Sequence, residues 1–76
     1  MFDRIVTDSE ILSGKPVVKG TRISVEFLLE LAASGASRSE IIQRYPQLTS
    51  EDVEQAFRFA GRAVGREQTI ALTVQH

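Results

Sequence analysis

Ser37-Arg38-Ser39-Glu40-Ile41-Ile42-Gln43-Arg44-Tyr45-Pro46-Gln47-Leu48-Thr49-Ser50-Glu51-Asp52-Val53 contains two helix starts with one helix stop between them. Ser37 and Glu40 form a capping box, in which the hydroxyl caps forward and the carboxylate reaches back to the Ser37 amide. The short helix that follows carries Ile41, Ile42 and Tyr45 inward, and Pro46 stops it. Thr49 is the second cap, Glu51 and Asp52 suit the positive end of a helix dipole, and Leu48 is placed to staple onto Val53. Val53, Ala56, Phe57, Ala60 and Val64 then recur at helical spacing as a core stripe. Gly61 sits inside this helix at a cost of about 1 kcal/mol relative to Ala, and Gly65 ends it.

A further helix precedes the pair. Ser24 is a good N-cap, the helix runs over residues 25–34, and Gly35 is placed to close it in the left-handed conformation. Its charged residues, Glu26 and Glu30, stand four apart on one narrow stripe. Val25, Phe27, Leu28, Leu29, Leu31, Ala32 and Ala33 fill most of the remaining circumference, so the helix needs cover on most sides. Residues 4–7 read as a strand, followed by a turn that brings Ile11 and Leu12 inward. Residues 69–74 alternate strictly, with Ile70, Leu72 and Val74 on one face. The expected fold is mostly α: a trihelical helix-turn-helix or winged-helix-like domain over residues 1–65, with short N- and C-terminal strands. Residues 66–76 form a tail.

Residues 12–23 are not ordinary core-building sequence. Pro16 pushes Lys15 toward an extended conformation, Val17 and Val18 favour a strand, and Lys19-Gly20 supplies a tight turn with Gly at positive φ. The product is a small knuckle carrying Lys15, Lys19 and Arg22. One reading is a well-made turn joining a strand to a helix. The other is a basic loop for a nucleic-acid backbone or an acidic partner.

At 76 residues the chain makes one domain near the lower size limit for a stable single core. No cysteine is present, which removes disulfides and thiolate chemistry and agrees with a reducing compartment. The start, Met-Phe-Asp-Arg-Ile-Val, lacks the n- and h-regions of a signal peptide, and no apolar run is long enough to span a bilayer. A cytoplasmic protein with no membrane association is expected. Net charge is −1, but four cations face three acids in residues 1–22, two face six in 23–54, and three face one in 55–76. Such segregation steers a polyanion toward one face.

Catalysis finds little support. The single histidine is the last residue, and no nucleophile–base–orienter set or phosphate-binding glycine loop can be assembled. No enzyme activity, cofactor or metal is expected. In a helix-turn-helix unit the longer helix is the groove reader, yet its first turn here carries Glu51, Asp52 and Glu54, which phosphates repel. Any DNA contact is therefore expected through phosphates, from Lys15, Lys19, Arg22 and Arg38. Arg58, Arg62 and Arg66, at i, i+4 and i+8, form a basic stripe: either a solvated helix face or a contact with phosphates or an acidic protein. A homodimer is expected through Phe27, Leu31, Ala60 and Gly61, since a two-fold interface supplies burial that a small chain lacks. The tail strand either pairs with residues 4–7 or docks on another protein.

The run from Ile11 to Val25, Ile-Leu-Ser-Gly-Lys-Pro-Val-Val-Lys-Gly-Thr-Arg-Ile-Ser-Val, resembles the signature of a large prokaryotic domain-of-unknown-function family of small antitoxin-like proteins. Gly35-Ala36-Ser37, Glu40-Ile41-Ile42, Tyr45-Pro46-Gln47-Leu48-Thr49 and Glu51-Asp52-Val53 match it in order and spacing, over about residues 4–60. The resemblance implies a trihelical, winged-helix-like, often dimeric protein, encoded beside PIN-like ribonucleases and acting as their antitoxin, as VapB-type antitoxins do. It implies a PIN-like ribonuclease toxin as partner and operator DNA as a second one. On that footing Arg58, Arg62, Arg66, Ile70, Leu72 and Val74 are the partner-binding candidates, with Arg66 near the acidic site of the nuclease. The alternative is a protein-interaction or assembly module with no nucleic-acid role.

Overall fold

The structure, a computed structural model, describes residues 2–64. Two short strands, β1 (Ile5–Val6) and β2 (Val17–Val18), precede three helices, α1 (Val25–Ala33), α2 (Arg38–Arg44) and α3 (Ser50–Val64). The strands pair antiparallel, Ile5 with Val18 and Val6 with Val17. The domain is therefore mostly α with a small sheet, as the sequence pattern predicts. β1 takes the knuckle valines as its partner. The expected C-terminal strand lies outside the described residues.

Each helix begins and ends on a local signal. The Ser24 hydroxyl accepts from the Phe27 amide at 2.9 Å. At the other end of α1, Gly35 at φ 103° donates to Ala32 and Ala36 donates to Leu31, each at 3.0 Å. These two bonds make a Schellman closure, which a Cβ at the left-handed position would strain. Ser37 and Glu40 form the reciprocal capping box of α2. Thr49 and Asp52 form another for α3: the Asp52 amide donates to the Thr49 hydroxyl at 3.1 Å, and Asp52 Oδ2 accepts from the Thr49 amide at 3.0 Å. α1, α2 and β1 all pack on α3. Leu28, Ile41, Leu48, Val18, Val53 and Ala56 are the wholly buried centre.

Leu12 departs from the expected inward placement. It is 40% exposed, and Leu12, Ser13 and Gly14 take φ of 51°, 59° and 84° in succession. A left-handed residue with a Cβ costs about 1–2 kcal/mol. The turn holds through bonds from the Gly14 amide to Ile11 at 3.0 Å and from Lys15 to Leu12 at 3.2 Å. Ser13→Gly removes one clash and should raise stability by about 0.5–1 kcal/mol, read as a higher urea midpoint. A lower midpoint would show that the serine is not strained.

Candidate functional site

The most heavily built polar feature joins β1 to the start of α3. Asp52 is only 1% exposed. Its Oδ1 accepts from Arg4 Nε at 2.6 Å, while Oδ2 completes the cap on Thr49. Gln55 Oε1 accepts from the Arg4 amide at 2.9 Å, and Gln55 Nε2 donates to Asp3 at 2.9 Å and Glu51 at 3.0 Å. No buried side-chain polar atom among the described residues is left without a partner. Burial pushes the Asp52 carboxyl up, but the Arg4 and Thr49 bonds together outweigh it and hold it below the ordinary aspartate value. This corrects the picture of three solvent-facing carboxylates at the head of α3. Asp52 is internal and neutralised by Arg4, a partner 48 residues away that no local pattern reveals.

The knuckle forms as the sequence suggests. The Thr21 amide donates to Val18 at 3.0 Å and Gly20 sits at φ 80°, the type II arrangement. Lys15 is exposed on the knuckle and forms a surface ion pair, its Nζ lying 2.9 Å from Glu26 Oε1. The bond raises the lysine and lowers the glutamate from their ordinary values. Lys19, Arg22 and Arg38 are exposed and make no ion pair among the described residues.

On the outward side of α3, Arg58 pairs with Glu54 at 3.0 Å, and Arg62 lies over the Phe2 ring at 5.7 Å from its centre. Phe2 meets Phe59 edge-on at 5.6 Å. Phe2, Glu54, Arg58 and Arg62, together with Ser50, Glu51 and Gln55, border an open groove of about 550 Å³ whose walls carry both charges. Arg66, Ile70, Leu72 and Val74 lie outside the described residues. Of the four dimer candidates, Phe27 is 36% exposed with its ring edge-on to Tyr45 at 5.7 Å, and Leu31 is half-buried against the core. Ala60 and Gly61 are buried inside the chain, because they continue the inward stripe of α3.

Among the described residues, no three side chains of metal-ligating type are grouped to hold an ion, and no helix is long and apolar enough to cross a membrane. Curated proteins include none that the sequence matches. Among solved structures, the crystal structure of a DUF433 member protein from Anabaena variabilis ATCC 29413 is similar, with a TM-score of 0.77 and 24% identity. That likeness covers 97% of this chain and 70% of the other, and at such identity it is a likeness of fold. The family model described as "Protein of unknown function (DUF433)" matches residues 5–60. With most of its length so matched, from β1 through Ala60 of α3, the chain belongs to the DUF433 family.

Proposed function

We propose that this protein is the antitoxin of a type II toxin–antitoxin pair, neutralising a PIN-like ribonuclease and autoregulating its operon by binding DNA as a homodimer. The carrying observation is the α2–turn–α3 pair, two capped helices joined across residues 45–49 with the outward side of α3 left free of the core. Combined with the antitoxin-like motif run at residues 11–25, this arrangement supports a regulatory binding module. The tail, with Arg66, Ile70, Leu72 and Val74, is assigned to the nuclease. Phe27 and Leu31 are assigned to the dimer.

Glu51 and Glu54 remain on the outward side of α3, so DNA is held by phosphate contacts from Lys19, Arg22 and Arg38. The Lys19→Gln/Arg22→Gln double variant should flatten the log–log salt dependence of binding by about 2. Glu51→Gln should strengthen binding. An unchanged slope in an electrophoretic or fluorescence assay removes the knuckle from the interface.

The same carboxylates favour a second reading, a protein-interaction module with no nucleic-acid role. Co-expression with the product of the neighbouring gene, alongside a mobility shift on upstream DNA, separates the two. Growth rescue with a DNA shift supports the antitoxin, and rescue without a shift supports a purely protein-binding role. Deleting residues 67–76 should leave the melting temperature unchanged and abolish rescue. Full rescue by the truncated chain excludes the tail as inhibitor.

A further inference from the structure

The turn over residues 18–23 is held by more bonds than a simple strand-to-helix link needs. The Val18 carbonyl accepts both the Thr21 amide at 3.0 Å and the Thr21 hydroxyl at 2.9 Å. The same hydroxyl accepts from the Ile23 amide at 2.9 Å, and the Val18 amide donates to Ile23 at 2.9 Å. Arg4 braces the turn from below. Its carbonyl accepts the Lys19 amide at 2.7 Å, and its Nη2 approaches the Lys19 carbonyl at 3.4 Å while Asp52 holds its Nε. In a trans peptide the C=O and N–H point opposite ways. With the Lys19 carbonyl turned toward Arg4, the Gly20 N–H is directed away from the body.

That N–H and the one of Arg22 have no acceptor among the described residues. A Cβ built on Gly20 would meet nothing within 4 Å, so a ligand atom can come close to this backbone. Lys19 and Arg22 flank the spot, exposed and without an ion pair among the described residues. An open backbone N–H at a turn tip beside two cations is a donor suited to an anion, and a hydrogen bond to an anion is about twice as strong as a neutral one.

We propose that the tip of this turn is a phosphate seat, in which the Gly20 amide donates to a phosphate oxygen of a nucleic-acid backbone and Lys19 and Arg22 supply the charge. Arg4, oriented by buried Asp52, is a positioning residue for the seat. The inference rests on the DNA-binding reading above and deepens it, because it adds a backbone donor that Lys-to-Gln and Arg-to-Gln changes alone do not reveal. Asp3 lies within electrostatic reach of Lys19, and it is tied to Gln55 Nε2 at 2.9 Å. Removing its charge should tighten phosphate binding.

The test is an amide-resolved NMR titration of the full chain with two probes, a short DNA duplex of arbitrary sequence and inorganic phosphate. The Gly20 amide should move downfield more than the amides of α3 with DNA, and in the same direction with phosphate. The Lys19→Gln/Arg22→Gln variant should lose both responses while the rest of its spectrum superposes. Asp3→Asn should lower the dissociation constant for DNA by about twofold, the scale of one screened surface charge. DNA binding that leaves Gly20 unmoved overturns the seat and spares the DNA reading. A saturable Gly20 response to phosphate without DNA binding leaves an anion site at the turn but overturns its nucleic-acid occupant, and with it the DNA reading. Silence of Gly20 toward both probes overturns the proposal.

Discussion

Asp52→Ala should destabilise the domain by about 3 kcal/mol, combining a lost helix cap of about 1 kcal/mol with lost charge-assisted hydrogen bonds of about 1.5–3 kcal/mol. The carboxylate bonds the Thr49 amide and Arg4 Nε from a position 1% exposed, so no solvent replaces it in place. Urea denaturation at neutral pH reads the loss directly. A change below about 1 kcal/mol would mean that the Arg4 pair behaves as an ordinary surface ion pair. The pH dependence gives a second check. Burial raises the Asp52 pKa, but the bonds from Arg4 and Thr49 outweigh it, so the folded value lies below the unfolded one. A depressed carboxylate contributes its stability in full above the unfolded value and loses it as pH falls through the folded value. The wild-type acid limb should therefore be steeper than that of Asp52→Ala, and the two curves should converge at the acid end. Parallel curves would exclude Asp52 as a source of the acid limb.

Leu28→Ala should cost about 3 kcal/mol, within the 2–5 kcal/mol range for a leucine removed from a packed core. Leu28 is 0% exposed on α1, which packs on α3. In a small domain this is a large share of the total stability. Phe27, the next residue, makes the informative contrast. It is 36% exposed and touches Tyr45 through an edge-on ring contact, so Phe27→Ala should cost about 1 kcal/mol or less in the single chain. If α1 supplies the dimer face, Phe27→Ala should raise the dimer dissociation constant in sedimentation at least tenfold, about 1.4 kcal/mol. A wild-type chain that sediments as a monomer at high micromolar concentration excludes that face. Equal thermal losses for the two variants would mean that Phe27 belongs to the core.

What was readable in the sequence is what depends on neighbours a few residues apart. Ser24 caps Phe27, Ser37 and Glu40 cap each other, and Thr49 caps Asp52 across three residues each. Gly20 and Gly35 sit at positive φ where a turn and a helix end call for it. These bonds close within one turn of chain, so residue type and spacing are enough to set them, and with the apolar periodicity they determine three helices in order.

Tertiary packing decided the rest. Lys15 stands eleven residues from Glu26, and only the return of the chain through the knuckle brings them to 2.9 Å, turning a basic candidate into half of an ion pair. Leu12 points outward because its own backbone and that of Ser13 take left-handed φ, which neither residue type favours. Asp52 carries both outcomes in one side chain. The Thr49 hydroxyl cap on its amide is local and legible, and the carboxylate's return bond to the Thr49 amide spans the same three residues. Its burial against Arg4 and the bracing of the Lys19 turn require β1 to lie across the start of α3, a contact that only the folded chain makes.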